Sequence, residues 1–387
     1  MKMYQLSIVS IFLFFLAGCE GSEESGNPSP LFEPFITPAG FTVEEVVEGL
    51  NLPTSLAFAP DGSGRLFVNE LQTGNIQVIQ GDSLLPRPFV SLATFVSGGF
   101  PVDGENGLIG IAFDPDYERN RYVYFSYAVW SSSDTLGKVI RFRDENNRGV
   151  EGRLLLDSIP GGSAHQVQSL RFGPDGKLYI AVGDAFRPNW AQDTAQLPGS
   201  ILRMNPDGSI PLDNPFPGSY IYASGLRNPF DMTFTEGGEL LAADIGAVLE
   251  DEINVIESGA NYAWPLWSGA GNQNGYVDPI HTWLESVSPT GMEWYGAEVY
   301  PEPYRNSLMM VLFGKTFEVG PSTNSKRIQV LTFQGQGQST QVSFTDLLIY
   351  NLPALGNPLD IALGPDGLVY FTDIFRGKVF RLEYQAE

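Results

Sequence analysis

The stretch Phe172-Gly173-Pro174-Asp175-Gly176, followed by Lys177-Leu178-Tyr179-Ile180, decides the fold, because copies of it recur along the chain. In such a motif proline presets φ for the first central position of a turn. Aspartate caps the turn through its side chain, and glycine accepts a positive φ. Each copy therefore predicts a strand, a tight turn and a second strand.

Other copies follow at a regular period. Two keep the full motif, Phe58-Ala59-Pro60-Asp61-Gly62 and Leu363-Gly364-Pro365-Asp366-Gly367, and weaker copies begin at Phe113 and Phe234. The first four copies lie 55 to 62 residues apart, and the gap from Phe234 to the last copy is about twice that. This gap predicts one degenerate copy, around Leu308 to Phe313.

Six copies of a unit of about four strands predict an all-β chain folded as a six-bladed β-propeller. A single such sheet cannot bury both of its faces, whereas a closed ring of sheets can. The segment 41–47 is predicted to pair with 379–382 and so to close the ring. The main rival, a pair of β-sandwiches, would not explain a turn repeated at this period.

The N-terminus resembles a bacterial lipoprotein signal. An apolar core, Ile8–Leu16, too short to span a bilayer as a helix, runs into Leu16-Ala17-Gly18-Cys19 and the chain's single cysteine. The predicted organisation is a signal peptide at 1–18, a lipidated N-terminus and flexible tether at 19–38, and the propeller at 39–387. We expect a protein of the bacterial cell envelope, periplasmic or surface-facing, that meets the membrane through its lipid anchor only. An ordinary export signal with a chance cysteine is the alternative.

The charge balance excludes one class of partner. The chain has 22 basic and 45 acidic residues, a formal net charge of −23. Such a field repels phosphate backbones, so no nucleic-acid partner is expected.

His165 is the first candidate for chemistry, because it is one of only two histidines and the other, His281, has no evident partner. His165 precedes a predicted strand, and Asp184 follows the next one. The intervening turn makes the two strands antiparallel and brings both residues to the same end of the blade. A carboxylate on one ring nitrogen fixes the tautomer and raises the basicity of the other, as a general base requires. A structural histidine is the alternative.

Two further stretches carry polar groups beside predicted strand ends. Arg227 and Asn228 stand side by side before a proline, an arrangement that suits an oxyanion or a carboxylate, or else ties two blades together. The stretch 244–254, with Asn261 and Tyr262 beyond it, clusters carboxylates around a glycine. That ligand set is typical of a hard cation such as Ca²⁺, although a solvated acidic loop would look similar.

With these stretches identified, the chain resembles the glucose/sorbosone dehydrogenase family from about Phe41 to Leu382. The most specific segments are Glu105–Pro115, His165-Gln166 with its hairpin and Gly183-Asp184, Gly225–Pro229, and Asp251–Asn254 with Asn261-Tyr262. The resemblance implies a six-bladed propeller that binds pyrroloquinoline quinone (PQQ) and Ca²⁺. It also implies oxidation of the anomeric carbon of aldose sugars to lactones, with electrons passed to an acceptor that the sequence does not identify.

The resemblance also implies roles for individual residues. His165 would take the proton of the anomeric hydroxyl, Asp184 would orient His165, and Arg227 and Asn228 would contact the quinone oxygens and stabilise developing charge. The main-chain carbonyls of Gly246 and Ala247 would bind Ca²⁺. Asp251, Glu252 and Tyr262 would support that loop or bind a structural ion. Glu105 and Gln166 would lie at the mouth of the substrate site.

One departure concerns the cations expected to bind the quinone carboxylates. Family members commonly carry one or two arginines just before the last hairpin, whereas Leu355–Asp360 contains none. Lys315 or Lys326 could supply one compensating cation. Two other classes therefore stay open, an envelope propeller that binds carbohydrate without redox chemistry and a metal-dependent hydrolase of the lactonase type.

Overall fold

In a computed structural model of the protein, each repeated turn joins the first and second strands of one sheet. The structure describes residues 34–96, 100, 104–131, 134–247, 249–271, 275–314, 326–335, 340–351 and 356–386. The expected signal peptide, Cys19 and Lys315 lie outside these residues.

The described strands form six sheets, and each sheet is one blade. Blade 1 contains β3 (Pro53–Phe58), β4 (Leu66–Glu70), β5 (Asn75–Ile79) and β6 (Val90–Ser91). Blade 2 contains β7 (Leu108–Phe113), β8 (Tyr122–Trp130), β9 (Thr135–Asp144) and β10 (Gly149–Pro160). Blade 3 contains β11 (Val167–Phe172), β12 (Leu178–Val182), β13 (Ser200–Met204) and β14 (Ile221–Ser224).

The second half of the ring follows the same plan. Blade 4 contains β15 (Pro229–Phe234), β16 (Leu240–Asp244), β17 (Asp251–Ile256) and β18 (His281–Trp283). Blade 5 contains β19 (Pro289–Tyr295), β20 (Ser307–Leu312), β21 (Arg327–Gln334) and β22 (Gln341–Tyr350), with β1 (Phe35–Ile36) on its outer edge. Blade 6 contains β23 (Pro358–Leu363), β24 (Val369–Asp373), β25 (Lys378–Tyr384) and β2 (Phe41–Val47).

The described helices are short. They are α1 (Tyr117–Asn120) and three 3₁₀ turns at Leu92–Thr94, Pro188–Gln192 and Glu302–Tyr304. No helix in the described part of the chain is long and apolar enough to cross a membrane.

The ring closes as the sequence predicts. The first strand of each blade contacts the first strand of the next, and β23 of blade 6 contacts β3 of blade 1. Strand β2 pairs with β25 in antiparallel register, with Val43 opposite Leu382. A chain segment from each end therefore completes the same blade, and the predicted six-bladed propeller is confirmed.

The Pro-Asp-Gly turns have the predicted geometry. The side chain of Asp175 accepts a hydrogen bond from the main-chain N–H of Lys177 at 3.0 Å, and that of Asp366 accepts one from Leu368 at 3.1 Å. Gly176 has φ +69°, a value that L side chains rarely adopt. The local chemistry of the motif thus sets the hairpins that keep the full Pro-Asp-Gly sequence.

The fifth copy differs from the prediction in its position. Leu308 belongs to the second strand of the blade-5 hairpin, and the first strand is β19. In place of a tight turn, the loop 296–306 joins the two strands. The hydroxyl of Tyr300 in this loop donates to the main-chain oxygen of Leu382 at 2.6 Å and accepts from the N–H of Val369 at 2.9 Å. This connection is therefore stabilised by contacts with blade 6, whereas the other hairpins are stabilised by their own turn residues.

The core is divided among the blade interfaces. A cluster of buried apolar side chains lies between each pair of neighbouring blades. Between blades 2 and 3, for example, the cluster includes Tyr124, Val139, Leu170 and Ile180. Burial of each such side chain contributes roughly 1.5–3 kcal/mol relative to leaving it exposed, so these clusters hold neighbouring blades together.

The strand directions define two faces of the ring. In every blade the first strand begins, and the second strand ends, at the end that we call the upper face. The segments 161–166, 183–187, 225–228 and 245–250 all lie there. The hairpin turns lie at the opposite end, the lower face. Phe35 and Ile36, which fell within the predicted tether, pair with Tyr350 and Ile349.

Candidate active site

His165 lies on the upper face, where the chain enters blade 3. Its backbone has φ +58°, and the residue is 5% exposed. A Cβ placed on Gly183 would lie 2.7 Å from the Cβ of His165, so only glycine fits at that position. The main-chain N–H of His165 donates to Oε2 of Glu105 at 3.2 Å. The backbone and Cβ of His165 are therefore held in place by Gly183 on one side and Glu105 on the other.

The imidazole of His165 is paired with Asp184, as the sequence predicts. Nδ1 of His165 lies 2.6 Å from Oδ1 of Asp184, which also accepts the main-chain N–H of Phe186 at 3.0 Å. The other oxygen, Oδ2, accepts from Nε1 of Trp264 at 2.9 Å. In the neutral imidazole, a proton on Nδ1 bonded to this carboxylate leaves the lone pair on Nε2. Within the described residues Nε2 has no hydrogen-bond partner, so the pair has the arrangement of an oriented general base.

The sequence did not identify two aromatic residues beside this pair. The ring of Phe186 lies 4.3 Å from the ring of His165, and Phe186 is 54% exposed. Ala185 and Phe186 both have positive φ, at +56° and +55°. His165 and these two residues thus place three non-glycine residues with left-handed backbone conformation in one site. Such unusual conformations cluster at functional sites. The second aromatic residue is Trp264, whose only sequence signal is its place in Asn261-Tyr262-Ala263-Trp264-Pro265.

Arg227 and Asn228 are held beside the pair by a buried carboxylate. Oδ2 of Asp244 accepts the main-chain N–H of Arg227 at 2.9 Å, and Oδ1 accepts that of Asn228 at 2.6 Å. The main-chain oxygen of Arg227 in turn accepts the N–H of Asp184 at 2.7 Å. The Asn228 amide oxygen accepts from Nε2 of Gln168 at 3.3 Å. The main chain therefore connects the Arg227 turn directly to the carboxylate that orients His165.

The guanidinium of Arg227 uses only part of its hydrogen-bond donors within the protein. Nη1 donates to the main-chain oxygens of Ile245 at 2.7 Å and Gly246 at 2.6 Å, and the group lies 5.7 Å from the centre of the Trp264 ring. Nε and Nη2 make no hydrogen bond to any other described residue. Arg227 therefore keeps donors for an anionic or carbonyl oxygen.

Beside this guanidinium lies a small pocket whose lining includes buried acidic side chains. It is lined by Arg227, Asp244, Glu252 and Trp264, among others. Burial raises the pKa of the Asp244 carboxyl to about 8, and the nearby charge of Glu252 adds to this effect. The pKa of Glu252 is itself raised, first by burial and then by the charges of neighbouring carboxylates. Burial and the charge of Glu252 thus disfavour ionisation of Asp244, a feature that the sequence did not reveal.

The loop proposed for calcium is tightly packed. The Gly246 oxygen accepts from Arg227, and Ala247 is exposed. A Cβ on Gly246 would lie 2.2 Å from the main-chain oxygen of Leu249. Both oxygens of Asp251 are used: Oδ1 accepts the N–H of Gly246 at 2.8 Å, and Oδ2 accepts two main-chain N–H groups and the Ser286 hydroxyl. Asp251 thus supports the loop.

Glu252 and Tyr262 have similar supporting contacts. The Glu252 carboxylate accepts the N–H of Gly269 at 2.6 Å and the side-chain amide of Asn254 at 3.2 Å. The hydroxyl of Tyr262 donates to the main-chain oxygen of Val255 at 2.5 Å. No group of three or more His, Cys, Asp or Glu in the described ranges is arranged to hold a metal ion. A metal here would depend on main-chain carbonyls, which leaves the Gly246 and Ala247 assignment a prediction.

The remaining site residues lie around this centre. Gln166 is buried, and its amide donates to the Gly162 oxygen at 2.5 Å, so it supports the loop that carries His165. Lys326 is buried on the upper side of blade 5, where Nζ donates to the main-chain oxygen of Gly356 at 3.1 Å. That bond places a cation beside the stretch that lacks arginine. The part played by Gln166 and Lys326 in binding stays a prediction.

The upper face of this propeller carries a histidine–carboxylate pair beside an arginine with unused donors, an arrangement that suits an enzyme active site. The particular family is shown by the sequence: a family model for glucose/sorbosone dehydrogenases matches residues 50–380, and the chain belongs to this family of oxidoreductases. The predicted family is therefore confirmed.

Individual relatives agree with this assignment. The chain is 33% identical over 280 residues to quinoprotein glucose dehydrogenase B of Acinetobacter calcoaceticus, a match covering 61% of this chain and 55% of that protein. It is 26% identical over 377 residues to the aldose sugar dehydrogenase YliI of Escherichia coli, covering 89% and 93%. The PQQ-bound aldose sugar dehydrogenase of Streptomyces coelicolor superposes with a TM-score of 0.71 at 27% identity, covering 90% of this chain and all of that structure.

Proposed function

We propose that this protein is a PQQ- and calcium-dependent dehydrogenase that oxidises the anomeric carbon of aldose sugars to lactones. The observation that carries the proposal is the 2.6 Å contact of His165 with Asp184, which leaves Nε2 without a partner among the described residues. Family membership and the names of the relatives support the redox chemistry.

The residues present suit the reactive end of a planar quinone. Arg227 has unused guanidinium donors, Asn228 offers an amide beside it, and Trp264 presents an aromatic ring next to the guanidinium. Donors preorganised in this way stabilise negative charge on an oxygen without reorganisation during the reaction. We propose that Arg227 and Asn228 hold the quinone oxygens.

When bound, PQQ would accept the hydride from the anomeric carbon. Nε2 of His165 takes the proton from the anomeric hydroxyl, and the C–O double bond of the lactone forms as the hydride leaves. Asp184 keeps the proton on Nδ1 and stabilises the imidazolium that results. Trp264 holds the second carboxylate oxygen, so that Asp184 cannot rotate away from His165. Glu105 borders the substrate mouth through its bond to the main chain of His165.

The cofactor carboxylates and the metal need further partners. We propose that Lys326, and Lys315 outside the described residues, balance the carboxylates in place of the missing arginines. We propose that the main-chain carbonyls of Gly246 and Ala247 bind Ca²⁺. Since the Gly246 oxygen already accepts from Arg227, the guanidinium and a bound ion would compete for it.

The cellular setting belongs to the same proposal. Residues 1–18 act as an export signal, and Cys19 carries the lipid that anchors the protein in the bacterial envelope. The partners are a small-molecule sugar and an electron acceptor whose identity is open.

Reconstitution tests this function. Purified protein is freed of metal and incubated with PQQ and Ca²⁺, and the melting temperature and dye reduction with a panel of aldoses are measured. The proposal predicts a raised melting temperature and aldose-dependent dye reduction. The matched control is His165→Asn, chosen because asparagine tolerates the positive φ of this position. It should bind PQQ but reduce no dye.

The absence of arginine from Leu355–Asp360 favours a second candidate, a propeller that binds carbohydrate without redox chemistry. The same experiment separates the two. A melting shift caused by sugar alone, with no effect of PQQ, would support the binding protein and contradict the dehydrogenase.

A further inference from the structure

The described chain enters the propeller on the upper face, the face that carries the candidate active site. Strand β1 is antiparallel to β22, and Phe35 lies opposite Tyr350, the last residue of β22. The main-chain oxygen of Pro34 accepts the N–H of Asn351 at 2.9 Å. Because β22 is the fourth strand of blade 5 and ends at the upper face, the tether joins the propeller there.

Exposed apolar side chains are concentrated on the same face. Eight large ones lie in its described loops or at its strand ends, namely Phe95, Trp130, Phe186, Leu249, Leu266, Trp267, Leu284 and Phe375. On the lower face, the described loops expose only Leu212 and Val299 among large apolar side chains. Clusters of exposed apolar groups mark contact surfaces, and tryptophan is enriched where proteins meet the membrane interface.

These side chains are unevenly distributed around the ring. Leu249, Leu266, Trp267 and Leu284 belong to blade 4, and Phe375 belongs to blade 6. The other three, Phe95, Trp130 and Phe186, are spread over blades 1 to 3. Blade 5, where the tether joins, lies between them. His165 lies on blade 3, to one side of this sector. We define the apolar sector as the side chains of Leu249, Leu266, Trp267, Leu284 and Phe375.

We propose that the apolar sector rests on the surface of the lipid bilayer in which the chain is anchored. The proposal rests on the lipidation of Cys19. Only residues 20–33 separate Cys19 from Pro34, and fully extended they span at most about 50 Å. A lipid on Cys19 would therefore keep the tether entry within that distance of the membrane. The anchor is needed because a chain of net charge −23 is not attracted to anionic headgroups. Trp267 also lines the pocket beside Arg227, so the contact would border that pocket, whereas His165 belongs to blade 3, outside the sector.

A site-specific fluorophore tests this orientation. The full chain, lipidated in cells, is reconstituted in phosphatidylcholine vesicles that contain a nitroxide-labelled lipid. Leu284→Cys and Phe375→Cys place the label on the two flanks of the apolar sector, and Leu212→Cys is the matched control on the lower face. All three side chains are exposed, so the fold should tolerate the changes. The thioether of a lipidated Cys19 leaves the introduced cysteine as the only free thiol.

The proposal predicts strong quenching of the labels at 284 and 375 and little or none at 212. Equal quenching at all three positions, or none at 284 and 375, would overturn it. Mass spectrometry of the same preparation detects the lipid on Cys19, and its absence would overturn both the anchor and the docking proposal. Dye reduction by the preparation in detergent reports the proposed dehydrogenase separately, since it requires neither the anchor nor the vesicle.

Discussion

Nδ1 of His165 lies 2.6 Å from Oδ1 of Asp184, and the second oxygen of that carboxylate is held by Nε1 of Trp264 at 2.9 Å. His165 and Asp184 belong to blade 3, whereas Trp264 belongs to blade 4. The orientation of the base therefore depends on the packing of two blades, and a change in either one should reach the chemistry.

Asp184→Asn should lower kcat by roughly 10²- to 10⁴-fold, the range typical of general acid–base catalysis. An amide can donate a hydrogen bond to Nδ1, so the proton would move to Nε2 and the base would be lost. Steady-state kinetics with a dye acceptor measure the effect, while PQQ affinity should stay nearly constant. Trp264→Phe is the companion variant, since it removes only the bond to Oδ2 and should cost less. An Asp184→Asn enzyme with unchanged kcat would refute the assigned role.

Arg227→Gln should weaken PQQ binding by at least about tenfold, because a charge-assisted hydrogen bond contributes roughly 1.5–3 kcal/mol. Titration of the apoprotein with PQQ, followed by absorbance, measures the dissociation constant. Arg119→Gln is the control, since its side chain is 84% exposed on the lower face in the short helix α1. Equal affinities for the two variants would show that Arg227 only ties the blades together.

Lys326→Met should also raise the dissociation constant for PQQ if this lysine replaces the missing arginines. Its Nζ bond to the Gly356 oxygen places the cation at the relevant stretch. Methionine keeps the aliphatic volume in the buried site. Lys177→Met, in the lower-face turn of blade 3, controls for the loss of one positive charge. Unchanged PQQ affinity in Lys326→Met, at native stability, would exclude Lys326 as a cofactor ligand.

The buried carboxyl of Asp244 predicts a dependence of stability on pH. Its pKa is raised to about 8 in the folded protein from the ordinary value of 3.8, so the folded state binds more protons across this range. The free energy of unfolding should therefore fall as the pH rises from about 4 to 8. Asp244→Asn should flatten this slope, at the cost of one of the two bonds to the Arg227–Asn228 turn. Urea unfolding at pH 5 and pH 8 measures the free energy of unfolding of the native chain and of Asp244→Asn. The same change with pH in both proteins would contradict the prediction.

The fold could be predicted because its repeated signal is local. Pro174, Asp175 and Gly176 determine their turn through their own conformational preferences, and the same chemistry recurs at Asp61 and Asp366. The fifth hairpin could be inferred only from the gap in the period. Its connection depends on Tyr300, whose hydroxyl bonds the main chain of blade 6, a contact between residues far apart in the sequence.

The site was predictable to a similar extent. An antiparallel hairpin converts the sequence interval between His165 and Asp184 into spatial proximity, so this pair followed from the predicted turn. Trp264 and Asp244 come from the next blade, and their contacts depend on loop conformations that no local pattern specifies. Phe186 packs on the His165 ring from a left-handed backbone conformation that is unusual for phenylalanine and that its sequence does not indicate.

The most direct test of the central claim is a single-turnover measurement. The protein is loaded with PQQ and Ca²⁺, freed of unbound cofactor and mixed with an aldose in the absence of any electron acceptor, while the absorbance of the bound cofactor is followed. Reduction of the cofactor is expected in the native chain, slowed by at least about 10²-fold in His165→Asn at equal occupancy. Failure of every aldose to reduce the bound cofactor, or equal rates in the two proteins, would contradict the proposed function.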